Sequence, residues 1–206
     1  MHDNGAASST SPSSRLFEIA SEQGGYFTSA QAQACGFSRA LLAHHAKTGR
    51  FLRVRQGLYR IREYPSSPRE DVIAAWLAAG KESAIVSHES ALDLLGLSDV
   101  VPEVVHLTVP RSKRFRRARR GVAIHTTTRP IGNGDIVTRE GIRLTGPVRS
   151  IMDAAEAGTA LEQILSAVHQ ALDRGIATRS SLVRAAKLRG GRIERLVREA
   201  LETGRR

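Results

Sequence analysis

Forty consecutive residues, Gln23 to Arg62, contain no Asp or Glu, yet they carry Arg39, Lys47, Arg50, Arg53, Arg55, Arg60 and Arg62. The segment also has the punctuation of two short helices and a hairpin. Thr28 or Ser29 can cap a helix over Ala30 to Cys35, Gly36 supplies a sharp turn, and Ser38 caps a second helix running to about Thr48. Gly49 ends that helix. From Phe51 the period becomes two, a turn at Gln56-Gly57 reverses the chain, and Leu58 to Arg62 returns. The pattern predicts a winged helix-turn-helix over 14–63.

On the second helix, Leu42, His45 and Ala46 share one stripe, while Arg39, Ala43, His44 and Lys47 share another. That division is the one a recognition helix needs, with a packed face and a basic face. In the hairpin, alternation puts Leu52, Val54, Tyr59 and Ile61 on one side and Arg53, Arg55, Arg60 and Arg62 on the other, so the wing is expected to present arginines along one face. Arg39, His44 and Lys47 are expected near base edges, and Arg50, Arg53, Arg55 and Arg60 on phosphates, with Ser38 and Gln56 completing the set. A merely solvated face usually mixes charges of both signs, and this one excludes acids. Cys35, His44 and His45 do not suggest a metal site, because adjacent histidines on a helix point about 100° apart. His45 is expected as a partly buried packing residue.

The chain of 206 residues carries 31 Lys and Arg against 20 Asp and Glu, a net charge of +11. Gln23 to Arg62 supplies +7 and Val104 to Gly134 supplies +8 with no acid, which leaves the remainder at −4. Focused positive charge implies a polyanionic partner, nucleic acid or anionic lipid. Lipid is disfavoured: no apolar run approaches the ~18 residues of a spanning helix, and no lipidation motif is visible. Residues 1–13 read as a disordered polar tail without a signal-peptide core, and the single cysteine agrees with a reducing, cytoplasmic setting.

A first helix from about Ser14 to Gln23 is expected to pack Leu16, Phe17, Ile19 and Ala20 under the helix-turn-helix. Residues 63–68, Glu-Tyr-Pro-Ser-Ser-Pro, have the composition of a linker and set the expected domain boundary, with a second domain over 68–206. There, a helix carries Val72, Ile73, Trp76 and Leu77. A strand edge at Ala84 to Val86 follows, then a short helix capped by Ser87, for which His88-Glu89 reads as N-terminal structure and not as a catalytic pair. Strands are expected at Val104 to Val109, Val122 to Thr128, Ile136-Val137 and Ile142 to Leu144. Pro147 opens an amphipathic helix, and two or three more helices follow. The fold class expected is α+β: a winged helix-turn-helix, then a mixed α/β part over about 68–146, then a helical bundle over about 147–206.

Between the first two strands of the longer domain lies a second basic patch, Arg111, Lys113, Arg114, Arg116, Arg117, Arg119 and Arg120, with Phe115 interleaved. So polar a run is expected on a hairpin loop or strand end, suited to phosphate or RNA.

Four segments together resemble a known family: Gly49-Arg50-Phe51-Leu52-Arg53-Val54-Arg55-Gln56-Gly57-Leu58-Tyr59; Ser87-His88-Glu89-Ser90-Ala91 with Leu95-Gly96-Leu97; Leu107-Thr108-Val109-Pro110; and Leu144-Thr145-Gly146-Pro147-Val148-Arg149-Ser150-Ile151-Met152-Asp153. In order and spacing they resemble the AbiEi-type antitoxins of type IV toxin–antitoxin systems. The resemblance implies an N-terminal winged helix that represses its own operon at promoter inverted repeats. It also implies a C-terminal domain opposing a nucleotidyltransferase-like toxin without a stable complex. No catalytic role, cofactor, metal or membrane partner is expected. Some relatives carry a nuclease-like C-terminal domain, but after Gly134 this chain offers one lysine, Lys187, and no recognisable nuclease core.

Overall fold

The computed structural model describes residues 11–113, 120–127 and 129–203. The chain divides into two compact units, residues 1–78 and 79–206.

The first unit begins with helix α1, Pro12–Ser21, capped by the Ser11 hydroxyl, which accepts from the Ser14 amide at 3.1 Å. Three residues expected in the tail, 11–13, therefore belong to the cap and first turn; residues 1–10 lie outside the described residues. Strand β1, Tyr26–Thr28, leads into α2, Ser29–Ala34, and then α3, Arg39–Lys47. Both helices start on a side-chain cap: Thr28 and Gln31 form a reciprocal capping box, and Ser38 accepts from the Leu41 amide. Gly36 makes the turn between them at φ +101°, a backbone conformation that side chains with a Cβ resist. Strands β2, Phe51–Arg55, and β3, Leu58–Ile61, complete an antiparallel sheet of order β1-β3-β2. This is the topology of a winged helix-turn-helix. Its core gathers Leu16, Ala20, Phe27, Cys35, Phe37, Leu42 and Phe51, with Phe27 edge-on to Phe51 at 4.9 Å between centroids.

Two expectations about this unit need correction. Phe17 is 55% exposed and does not join Leu16 and Ala20 in the core. The wing does not carry its arginines on one side, because the register pairs Arg53 with Tyr59 and Leu52 with Arg60. Directly paired residues share a sheet face, so Arg53 and Arg60 point to opposite faces. A bulge between Arg53 and Arg55 then breaks the alternation and leaves Val54 exposed.

Helix α4, Glu70–Ala79, packs with the first unit, so the division falls after Ala78, ten residues beyond the expected linker. The reason lies in the supposed linker itself. Arg60 donates to the Tyr64 and Pro65 carbonyls at 2.8 and 3.0 Å and pairs with Glu70 at 2.8 Å. Tyr64 packs against Gly25, where a Cβ would come within 2.4 Å of its ring, and its hydroxyl donates to the Ser21 carbonyl. Glycine is needed there for contact as well as for its φ of +84°.

The second unit contains β4, Ile85–Val86; α5, His88–Leu95; β5, Val105–Val109; β6, Val122–Thr126; β7, Ile136–Arg139; and β8, Ile142–Thr145. Four helices follow: α6, Pro147–Ala157; α7, Leu161–Asp173; α8, Arg179–Arg189; and α9, Gly191–Thr203. The sheet order is β6-β5-β4-β8-β7. β5 and β6 are parallel, as are β4 and β8; the other two pairs are antiparallel. Because β5 and β6 are parallel they do not form a hairpin, one of the two placements expected for the basic run. α5 packs on α6, and the stripe Ile193, Leu196, Val197, Ala200 and Leu201 of α9 is buried as its spacing predicts. The class is α+β.

Arg60 is only 7% exposed, so it acts as a tie within the first unit. Arg60→Met is expected to lower stability by about 1–3 kcal/mol, because two backbone carbonyls and a carboxylate lose their donor. Urea denaturation followed by circular dichroism measures the loss, and a loss below 0.5 kcal/mol, roughly the surface-mutation range, contradicts this assignment.

Candidate functional site

The first site is the outer face of α3 with the strand that follows. Arg39, Ala43, His44 and Lys47 are exposed, while Leu42 is buried and His45 and Ala46 are half-buried, the division expected from the helical period. His45 packs against Phe51 and Phe37 at 5.1 and 5.9 Å between ring centroids, and burial pushes its imidazole below the ordinary histidine range. Ser38, Arg50, Arg53 and Gln56 are exposed and Arg55 is half-buried. Ser38 spends its hydroxyl on the cap. Arg60 does not join this surface: it is buried, and its guanidinium lies 5.7 Å from the Tyr26 ring. The exposed set therefore presents basic side chains from the helix and the outgoing strand with no acid among residues 23–62.

Of the second basic patch, Arg111 and Arg120 are exposed and Lys113 lies in a short 3-10 turn. Arg114, Arg116, Arg117 and Arg119 lie outside the described residues.

The second unit contains a site that sequence reading passed over. A cleft of about 460 Å³ is lined by His88, His125, Thr108, Thr127, Arg149, Asp153 and Arg189, among others. The β5–β6 register pairs His106 with Ala123 and Thr108 with His125, so these four residues share one face of the sheet. His106 Nδ1 lies 3.0 Å from His125 Nε2. His88 stacks on His125 at 3.6 Å between ring centroids. Around them, the Ser90 hydroxyl accepts from the His106 amide at 3.0 Å, and Thr159 donates to Glu89 at 2.7 Å.

His88 is the first residue of α5 and has φ +54°, an uncommon conformation for a residue with a Cβ. Ser87 occupies the cap position but makes no cap bond, contrary to expectation. Its hydroxyl instead accepts from Thr108 Oγ1 and meets His88 Nδ1, each at 2.8 Å. Burial, reinforced by the neighbouring imidazoles and by Arg149 and Arg189, pushes His88 down to about 3. Burial also lowers His106, against the opposing charge of Glu89, and lowers His125, against that of Asp153. In all three rings the shift favours the neutral form.

One wall of the cleft is an ionic network. Arg149 Nε donates to both oxygens of Asp153 at 3.0 and 2.8 Å, and Arg189 donates to Asp153 at 2.5 Å and to Glu156. Arg129 pairs with Glu156 at 3.2 Å. Asp153 and the two arginines that hold it are at most 10% exposed at their side chains. Two of the family-like segments, Ser87 to Ala91 and Leu144 to Asp153, meet here, which neither segment shows by itself.

The helix-turn-helix and the wing make the first unit a winged-helix module with a basic outer face on α3. Residues 14–62 match the family described as transcriptional regulator, AbiEi antitoxin. Across nearly the whole chain the fold is similar to the crystal structure of the Rv2827c protein from Mycobacterium tuberculosis, with a TM-score of 0.60 over 94% of this chain and 77% of that one. At 14% identity this likeness concerns the fold alone. No curated protein matches the sequence. Among the described residues no helix is long and apolar enough to cross a membrane.

Asp153→Asn is expected to destabilise the second unit by roughly 3–5 kcal/mol, because it leaves Arg149 and Arg189 buried with Glu156 as the remaining nearby carboxylate. Chemical denaturation checks the size. A change under 1 kcal/mol means that the network carries little of the stability.

Proposed function

We propose that this chain is the antitoxin and autorepressor of a type IV toxin–antitoxin pair, acting through DNA and not as an enzyme. The observation that carries the reading is the AbiEi match over 14–62 together with the acid-free, exposed face of α3 inside it. In this reading α3 enters the major groove, with Arg39, His44 and Lys47 toward base edges and Arg50, Arg53, Arg55 and Gln56 at the phosphate backbone. Arg60 is left out of the contact set. The protein occupies inverted repeats in its own promoter, and the second unit opposes a nucleotidyltransferase-like toxin without a stable complex. The basic sequence from Arg111 to Arg120 supplies a second contact for DNA or RNA. A second reading, a transcriptional regulator with no antitoxin role, draws support from the match ending at residue 62.

Promoter titrations by fluorescence anisotropy at several salt concentrations test the DNA assignment. Arg39→Ala is expected to cost about 1–3 kcal/mol on the native site and to narrow the gap to scrambled DNA. Arg53→Ala should weaken both sequences alike and reduce the slope of log affinity against log salt by about 0.9. Wild-type affinity in an Arg50→Ala, Arg53→Ala double variant would remove this face from the interface. Co-expression with the product of an adjacent nucleotidyltransferase-like gene separates the two readings: rescue of growth supports the antitoxin, and repression without rescue supports the plain regulator.

A further inference from the structure

The three imidazoles of the second unit come from three separate elements, yet one ring nitrogen from each lies within 4.8 Å of the others. We propose that His88, His106 and His125 form a binding site for a divalent transition-metal ion of the zinc class, with the remaining coordination position facing the cleft. The reading does not depend on the DNA-binding role of the first unit.

Several independent features support it. Imidazole suits zinc, copper and nickel, and a three-histidine set with one open position is a recurring zinc arrangement. His106 Nδ1 and His125 Nε2 are 3.0 Å apart, close to the roughly 3.3 Å that separates two ligands bound at about 2.0–2.1 Å to a tetrahedral ion. Without an ion one of these nitrogens donates to the other; an ion would take both lone pairs, and the donor ring would then carry its proton on its other nitrogen. Two of the ring nitrogens turned away from the cluster face groups that orient a ligand. His106 Nε2 faces Glu89 at 4.0 Å, a carboxylate itself held by Thr159. His88 Nδ1 meets the Ser87 hydroxyl, which Thr108 fixes from the other side. Such carboxylate and hydroxyl partners set the tautomer and raise the basicity of a metal-bound imidazole.

His88 is also held in a left-handed backbone conformation, and outliers of this kind concentrate at ligand clamps and active sites. To complete the set, His88 must leave its face-to-face stack on His125 and turn edge-on. The cleft beyond, lined by Thr127, Arg149 and Arg129, would admit water or an anionic oxygen as the last ligand.

The test uses the full chain, freed of metal by a chelator and titrated with Zn²⁺ by calorimetry and with Co²⁺ by visible absorption. One ion per chain and the intense bands of four-coordinate Co²⁺ are expected. His106→Gln and His125→Asn should each abolish both signals. Glu89→Gln, which leaves the three rings in place, should weaken Zn²⁺ by about 10–100-fold, and His2→Gln should leave binding unchanged. The weak spectrum of six-coordinate Co²⁺, or one-to-one binding that survives both ring substitutions, overturns the proposal. Should those variants fail to fold, long-range ¹H–¹⁵N spectra of the histidine rings in the unaltered protein decide. Zn²⁺ must shift three rings and fix their tautomers, and spectra unmoved by Zn²⁺ overturn the site.

Discussion

Asp153 sits between two guanidinium groups, and the cleft of the second unit takes its shape from that charge. A carboxylate taken out of water is costly unless its oxygens are met by donors, and here Arg149 reaches it from one turn away on α6 while Arg189 reaches it from the end of α8. The pairing fixes the crossing of the two helices. It also aims the rest of each arginine: Arg149 extends to the Thr127 hydroxyl just beyond β6, and Arg189 extends to Glu156, which in turn holds Arg129. The result is a wall whose charges are oriented before anything enters. The neighbouring imidazoles are affected as well, because the arginines disfavour protonation of His88 while Asp153 favours that of His125.

The first unit was legible in the sequence wherever its signals are local. Thr28 and Ser38 cap the helices their positions announce, Gly36 turns with positive φ, and the two stripes of α3 separate into packed and exposed faces. Failures came where a longer-range partner decides. Alternation along β2 and β3 is correct for each strand alone, but the register between them and the bulge beside Arg55 decide which arginines share a face. Arg60 looked like a phosphate contact because its acid, Glu70, lies beyond a stretch with the composition of a linker. Composition reports turn propensity there; it cannot report that Tyr64 lies on a glycine behind the first helix.

In the second unit the strand segments and the helix stripes could be read, since periodicity needs a single element. The histidine cluster could not. His88, His106 and His125 are separated by 18 and 19 residues, and no ligand pattern of short spacing connects them. They meet because β5 and β6 run parallel, a pairing that the tempting hairpin reading of the basic run excludes. The signal available was weaker: histidines at alternating positions within two β-like segments, His106 beside Thr108 and His125 beside Ala123 on the same face. Once the parallel register is granted, their proximity follows.

The order of strands in the second sheet also governs when the protein can acquire its structure during synthesis. Every strand partner in the first unit lies within residues 26–61, so that unit can close once α4 has emerged. β4 can pair with β5 early, but its parallel neighbour β8 is nearly sixty residues further on and α6 to α9 come later still. At about 5–20 residues per second, the residues after Ala78 take on the order of ten seconds to appear. For that interval a folded helix-turn-helix is tethered to a nascent sheet whose β4 edge lacks its β8 partner, a topology that folds slowly even when complete. The nascent second unit therefore has the longer exposure to proteases and chaperones.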